Sequence, residues 1–356
     1  MTMGLVKFLV TIFRRKRVAT DRIVAVDSEE DYCYTRNDHS SVMFSERKSI
    51  KLCREEIEKL ISMDSSRVIG YGGFSTVYLA RSSMVAVKMY CSSSQRLYQV
   101  YKQELDILQR LQHDNIVKLL GYCDDPEGVL ILEYIPNGDL QEKLHGSHTS
   151  LLPWERRMAI AFQLAQALAH LHEKCSPHII HGDIKPSNIL LDDNLNCKLC
   201  DFGSAKMGFS SAVLPGPPDS NPNFSRNNRR LMVGSPGYID PVYLKTGLAS
   251  KKNDIYSFGV VVLELITGME AIDPERGERL ANRAEPMLEN MEMVMMEIVD
   301  RRLNGEVDLE EARAMIRIAA KCVCGSTSIR PTASDIVAIM RSEISSLSFL
   351  FQKQNL

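Results

Sequence analysis

The alternation of apolar and polar positions divides the chain into stretches of different character. Residues 18–48 are polar and show little periodicity, so they predict a linker. From residue 67 onward, three short runs rich in β-branched and apolar residues, 68–70, 76–80 and 84–90, are separated by glycine and serine, which is typical of consecutive antiparallel strands. Two more strand-like runs follow at residues 117–122 and 129–134.

Helical periodicity surrounds these runs. A short helical pattern covers residues 52–61, and residues 97–108 repeat apolar side chains at spacings of four, four and three. Residues 160–171 carry one apolar stripe, and residues 255–266 are apolar nearly all round, as in the buried centre of a domain. The pattern predicts an α+β protein with a small β-rich lobe, a short connection near residues 133–138 and a larger helical lobe. A cleft between two such lobes would be a natural ligand site.

Composition narrows the function classes. The chain has 356 residues, 44% of them hydrophobic, and 43 basic against 45 acidic residues give a net charge of −2. These values exclude a wholly disordered, collagenous or coiled-coil chain and argue against a nucleic-acid binder. Nine cysteines favour a reducing compartment over a disulfide framework. Cys197 and Cys200 lie in the run CKLC, which predicts a buried strand more readily than a metal or redox site.

The N-terminus leaves two interpretations open. Residues 3–13 are mostly apolar and run into four basic residues, 14–17. The apolar stretch is too short to span a bilayer, and its charge follows rather than precedes it, unlike a secretory signal. A helix over residues 3–17 would lie in a membrane interface, with the basic run at anionic headgroups. The alternative is a frayed tail or a helix docked on the protein itself. Thr2 stands where myristoylation requires glycine.

Candidate chemistry begins in the turn GYGGFSTV, residues 70–77. Its glycines would let backbone N–H groups approach phosphate oxygens, although such a hairpin alone is ordinary. The run VAVK places Lys88 among apolar neighbours, where an ammonium needs an anionic partner. Glu104 lies on the apolar face of the predicted helix, so we expect an ion pair between Lys88 and Glu104.

The strongest motif is HGDIKPSNILLD at residues 181–192, followed by DFG at residues 201–203. Two carboxylates, a lysine and an asparagine in loops suit magnesium and phosphate chemistry. With the glycine-rich turn and VAVK, these motifs make residues 67 to about 342 resemble the eukaryotic protein kinases. The runs NIVKLLGYC, LEYIPNGDL and DIYSFGVVVLELITG resemble the cytoplasmic branch of the plant receptor-like kinases.

The resemblance implies a bilobal kinase-like fold and a Ser/Thr protein kinase in receptor-linked signalling. The expected organisation is a membrane-surface segment (1–17), a linker with a short helix (18–62), an N-lobe (63–135), a C-lobe (136–342) and a tail (343–356). Expected partners are protein substrates and a membrane receptor kinase. The expected location is the cytoplasm, and it is the cytoplasmic face of the plasma membrane if residues 3–17 bind that surface. The alternative is a kinase-fold scaffold with weak or no catalysis.

By resemblance, Asp183 accepts the proton of the substrate hydroxyl, and Lys185 stabilises charge on the transferring phosphoryl group. Asn188 and Asp201 hold Mg²⁺, or Mn²⁺ in its place. Lys88, held by Glu104, contacts the α and β phosphates of ATP. The resemblance assigns further nucleotide contacts to Ile69, Gly70, Tyr71, Gly72, Gly73, Phe74, Ser75, Thr76, Val77, Ala86, Leu132, Glu133, Ile135 and Leu190.

Some positions follow the family and others depart from it. By resemblance, Ser235 reaches the catalytic Asp and Lys, and Asp254 supports the catalytic loop through backbone hydrogen bonds. Gly182 replaces the arginine of HRD, which in the family meets a phosphorylated activation-loop residue. Val242 replaces the glutamate of APE, whose usual partner resembles Arg330. We therefore expect that Arg330 is solvated or that another acid reaches it.

Overall fold

The computed structural model describes residues 49–62, 67–72, 75–81, 83–90, 95–124, 128–147, 150–208, 212–213, 234–284, 286 and 298–352. The chain divides into two compact units: residues up to 105 together with 119–134, and residues 106–118 together with 135–356. The N-terminal segment 3–17, the polar linker 18–48 and most of the activation segment, residues 203–234, lie outside the described residues. Within the described part, no helix has the length and apolar character needed to cross a bilayer.

The first unit is built on a six-stranded sheet in the order β1-β5-β6-β4-β3-β2. Its strands are β1 (Ile50–Lys51), β2 (Arg67–Tyr71), β3 (Ser75–Ala80), β4 (Val85–Tyr90), β5 (Leu119–Cys123) and β6 (Val129–Glu133). Strand β1 is parallel to β5, and the other pairs are antiparallel. Its helices are α1 (Arg54–Ser62) and α2 (Gln95–Arg110), whose last five residues are counted in the second unit.

The core of this unit lies on the face of the sheet that packs against residues 50–62. Leu52, Ile57 and Leu60 are buried against a cluster that includes Val87 and Ile131. Because successive side chains of a strand point to opposite faces, the residues between the core positions lie on the other face of the sheet.

Strand β1 approaches the sheet edge at Gly121. A Cβ at this position would lie 2.9 Å from the carbonyl oxygen of Ile50, so a larger residue would push β1 away. The edge is closed by a hydrogen bond from Leu52 N to Tyr122 O, at 2.8 Å. The sequence pattern predicted the helix in this segment, but it did not predict the strand.

The second unit is mainly helical. Its helices are α3 (Leu140–His145), α4 (Trp154–Ala169), α5 (Pro241–Thr246), α6 (Lys251–Thr267), α7 (Leu309–Val323), α8 (Ala333–Glu343) and α9 (Ser348–Gln352). Its strands are β7 (His178–Ile180), β8 (Ile189–Leu191), β9 (Cys197–Leu199), β10 (Lys206–Gly208), β11 (Ala212–Val213) and β12 (Ala249–Ser250). Helix α6 packs against both α4 and α7 and is buried over most of its length, as its apolar sequence predicted.

The α+β class is confirmed, since a β-rich unit is followed by a helical one. The first three residues of the run CKLC form β9, and burial raises the pKa of the Cys197 thiol in that strand. The predicted strand at 117–122 begins only at Leu119. Val117 instead donates its N–H to Leu199 O at 2.9 Å, within the second unit.

Candidate active site

The first unit holds the predicted ion pair. Lys88 Nζ donates to both carboxylate oxygens of Glu104, at 2.9 and 2.8 Å. Both side chains are almost fully buried, with 9% of Lys88 and 1% of Glu104 exposed. A buried ammonium is tolerated only when it is paired in this way, so the contact fixes where Lys88 points.

Tyr90 is a partner of this pair that the sequence analysis missed. It lies two residues after Lys88 on β4, so both side chains leave the same face of the sheet. Its hydroxyl donates to Glu104 Oε2, and its ring centroid lies 5.4 Å from Lys88 Nζ. Its position two residues after Lys88 in the same strand was the sequence signal that could have identified Tyr90.

Val77, Ala86 and Leu132, which are assigned to the nucleotide, share that face, whereas Thr76 and Glu133 pair with Met89 and Val85 and project to the opposite face. Val77 pairs with Lys88, and Ala86 pairs with Leu132. Directly paired residues on neighbouring strands project to the same side. Ile69 lies in a bulge of β2 and is 40% exposed.

The glycine-rich turn is described only in part. Gly72 N donates to Ser75 O at 2.7 Å, and Tyr71 is largely exposed. Gly70 and Thr76 lie on the two strands of this hairpin. Gly73 and Phe74 lie outside the described residues.

The second unit brings the predicted catalytic side chains together. Asp183 Oδ1 accepts from Ser235 Oγ at 2.9 Å, and Asp183 Oδ2 accepts from Asn188 Nδ2 at 3.1 Å. Lys185 Nζ lies 3.1 Å from Asp183 Oδ2 and donates to Ser235 Oγ at 2.7 Å. The expected contacts of Ser235 are therefore present, and the carboxylate is held by three neighbours while 13% of it remains exposed.

Asn188 and Asp201 lie at the same end of a two-stranded ladder. Strands β8 and β9 pair Ile189 with Leu199, and Cys200 N donates to Asn188 O at 3.0 Å. Asp201 follows directly, with a left-handed φ of 61°. The hairpin therefore places a residue with an amide and a residue with a carboxylate at the same end of the ladder.

Phe202 and His181 connect the DFG and HGD motifs. Phe202 is fully buried and meets the ring of His181 edge to face, with centroids 4.8 Å apart. His181 Nε2 also lies 3.0 Å from Cys200 O.

Two of the residues assigned to the nucleotide belong to the second unit. Ile135 is buried, and Leu190 is the half-buried residue of β8.

Asp254 supports the catalytic loop as expected. Its carboxylate accepts the backbone N–H groups of His181 and Gly182, both at 2.8 Å, and His172 Nε2 lies 2.9 Å from it. The aspartate is 1% exposed, so these hydrogen bonds are shielded from water. They hold the segment that leads into Asp183.

Gly182 adopts a backbone conformation that favours glycine, with φ at 79°. A Cβ here would lie 2.9 Å from the backbone oxygen of Ser204, two residues after Phe202. A larger residue would have to displace that carbonyl. The HGD motif is therefore packed closely against the segment that follows DFG.

The structure resolves the two expectations for Arg330. The side chain is fully buried rather than solvated, and Asp240 is the acid that reaches it. Arg330 Nη1 and Nη2 donate to the two Asp240 oxygens at 2.6 and 3.0 Å, and Arg330 Nε donates to Cys324 O at 2.9 Å. Asp240 precedes Val242 by two residues and is an acid that the motif comparison missed.

Comparisons with known proteins agree with these motifs. Residues 63–340 match the protein kinase domain. A probable receptor-like protein kinase of Arabidopsis thaliana is 51% identical, over 83% of this chain and 89% of its own length. The salt tolerance receptor-like cytoplasmic kinase 1 of Oryza sativa subsp. japonica is 49% identical, over 84% of this chain and 81% of its own. A probable LRR receptor-like serine/threonine-protein kinase of A. thaliana is 38% identical, over 85% of this chain but 34% of its own length.

Proposed function

This chain belongs to the protein kinase family, and from that premise we propose that it transfers the γ-phosphate of ATP to serine and threonine hydroxyls of protein substrates, with Asp183 as the catalytic base. The observation that carries the proposal is the hydrogen-bonded group of Asp183, Lys185, Asn188 and Ser235. It combines a proton acceptor, a fixed cation and an amide at one place, as phosphoryl transfer requires.

In the proposed reaction, the substrate hydroxyl oxygen forms a bond to the γ-phosphorus while the bond to the β-phosphate oxygen breaks. Asp183 orients the hydroxyl and takes its proton. Lys185 stabilises negative charge on the transferring phosphoryl group, because its ammonium is already held beside Asp183. The contacts of Ser235 with both residues keep them in register before substrate arrives.

Asn188 and Asp201 fit a divalent cation, and we propose Mg²⁺. Magnesium prefers oxygen ligands, and the hairpin places an amide and a carboxylate at one end. Asn188 Nδ2 donates hydrogen bonds to Asp183, so the amide oxygen of Asn188 is the atom that we propose as the ligand. When bound, the ion neutralises developing charge on the phosphates. Mn²⁺ satisfies the same ligand set.

For ATP, Lys88 would contact the α and β phosphates, with Glu104 keeping the ammonium extended. The turn from Gly70 to Val77 would cover the phosphates through its backbone N–H groups. The ring of adenine would meet the apolar side chains Ile69, Val77, Ala86, Leu132, Ile135 and Leu190, and the backbone of Glu133 and Ile135 would bond its edge.

The wider context is also a proposal. We take residues 63–342 as the kinase domain (N-lobe 63–135, C-lobe 136–342), with residues 343–356 as a tail. The upstream partner in this proposal is a membrane receptor kinase. A relative that is named a receptor-like cytoplasmic kinase supports a cytoplasmic place of action. Contact of residues 3–17 with a membrane surface belongs to the same proposal. A scaffold without catalysis is not favoured, because Lys88, Asp183 and Asp201 are all present.

The proposal is tested by following the ATP γ-phosphate into the protein itself and into a generic basic protein. We expect incorporation on serine and threonine that needs a divalent cation and is lost with a chelator. The variant Lys88→Met serves as the control, since it keeps a side chain of similar length without the charge. Nucleotide binding by the wild type without transfer would contradict the proposed activity and favour the scaffold.

Activity is expected to persist without phosphorylation of the activation segment. Gly182 removes the arginine that would read a phosphate there, so the usual charge-driven switch is absent. Changing Ser204, Ser210, Ser211, Ser220 and Ser225 together to alanine should lower kcat by no more than about threefold. The matched control is Ser235→Ala, which loses contacts with Asp183 and Lys185 and should cost more. A near-total loss of kcat in the variant with all five serines changed would contradict this expectation.

A further inference from the structure

Asp124 lies just after β5, where three side chains converge on its carboxylate. Lys51 Nζ, from β1, lies 2.9 Å from Oδ2. Lys102 Nζ and the Tyr101 hydroxyl, both from α2, donate to Oδ1 at 2.6 and 3.0 Å. Burial raises the pKa of Asp124, but the hydrogen bonds from Lys102, Lys51 and Tyr101 outweigh it and lower the pKa to about 2. The carboxylate is therefore charged at neutral pH.

This convergence ties the segment that precedes residue 63 to helix α2. Lys51 belongs to a strand that is fixed on β5, whereas Lys102 and Tyr101 belong to the helix that carries Glu104. Tyr101 is fully buried, and its hydroxyl also lies 2.9 Å from Cys123 O. The helix is thus attached to the end of β5 through buried as well as exposed contacts.

The attachment is one helical turn from the catalytic ion pair. Tyr101 and Glu104 are three residues apart and so lie on one face of α2. The Tyr101 ring meets the Tyr90 ring edge to face at 5.5 Å, and the Tyr90 hydroxyl donates to Glu104. A continuous set of contacts therefore runs from Asp124 to the carboxylate that holds Lys88.

We propose that Asp124 is a positioning residue for phosphoryl transfer, which holds this turn of α2 so that Glu104 stays paired with Lys88. The proposal rests on the proposed function, because it assigns Asp124 a task in that reaction. A purely structural role would instead lower stability without a specific effect on the phosphates of ATP. The two roles differ in what they do to nucleotide affinity.

The test compares ATP and adenosine binding by calorimetry in Asp124→Asn and in the wild type. If Glu104 loses its position, Lys88 loses its hold on phosphate, so ATP affinity should fall about tenfold while adenosine affinity stays unchanged. In a Glu104→Gln background, Asp124→Asn should add less than about twofold, because the two changes act through one contact. The control Glu58→Gln removes an exposed carboxylate that pairs with Arg54 on α1 and should leave ATP affinity unchanged.

Equal losses of ATP and adenosine affinity would overturn the proposal, as would an unchanged ATP affinity. An undiminished tenfold loss in the Glu104→Gln background would also overturn it. Turnover by the wild type is measured in parallel. A wild type that binds ATP but transfers no phosphate would refute the proposed function, and the affinity comparison would still decide the part played by Asp124.

Discussion

Replacing Asp183 by asparagine is expected to lower kcat about 100-fold or more and to leave the KM for ATP nearly unchanged. Asparagine can keep hydrogen bonds to Ser235 and Asn188, so the loop should retain its shape. It cannot accept the proton of the substrate hydroxyl. The loss therefore falls on the chemical step, since the proposed contacts of Asp183 are with substrate and not with nucleotide.

The measurement is steady-state transfer to a peptide at several ATP concentrations, with thermal unfolding recorded for each variant. Asp193→Asn is the matched control, because it makes the same change ten residues further on at an exposed position. Its kcat should equal that of the wild type. Retention of more than about a tenth of kcat in Asp183→Asn would exclude Asp183 as the base.

Replacing Asp240 by alanine is expected to lower the free energy of unfolding by about 3 to 5 kcal/mol, because it leaves Arg330 buried without a counter-charge. The two side chains are 0% exposed and joined by two hydrogen bonds, so water cannot take the place of the carboxylate. Asp240 also caps α5 by accepting the N–H of Val242 at 2.9 Å. Loss of that cap adds about 1 kcal/mol.

The double variant Asp240→Ala with Val242→Glu makes this prediction specific. It moves the acid to the position that the family uses, so it should recover most of the lost free energy of unfolding. The part that came from the Asp240 cap of α5 should remain lost. Denaturant unfolding of the single and double variants measures both changes. Glu343→Gln, which breaks an exposed contact with Arg317, should cost less than about 1 kcal/mol. An unaltered midpoint for Asp240→Ala would mean that Arg330 does not depend on this pair.

Features that depend on local spacing were predictable from the sequence. The pattern of apolar residues identified strands β2 to β6 and the buried helix α6, since each pattern reports burial of its own segment. The pair of Lys88 and Glu104 was also predictable, because a lysine in an apolar strand needs an acid and only one face of α2 could supply it. Motif order then located the remaining candidates.

Features that depend on distant partners outside the family motifs were not predictable. Asp240 and Arg330 are 90 residues apart, and no periodicity links them. The family pattern directed attention to Val242, so the acid two residues earlier was overlooked. Strand β1 was missed because two residues carry no alternation to detect, and its place depends on the space above Gly121.

Residues 50–62, which form β1 and α1 on the sheet of the first unit, also affect how the protein should be produced. The family match begins at residue 63, but the folded sheet begins at Ile50. A recombinant chain cut at the family boundary would lose β1 and α1, leaving the edge of β5 open and the apolar surface around Val87 and Ile131 uncovered. Open edges and apolar patches promote aggregation, so expression should start at or before residue 49.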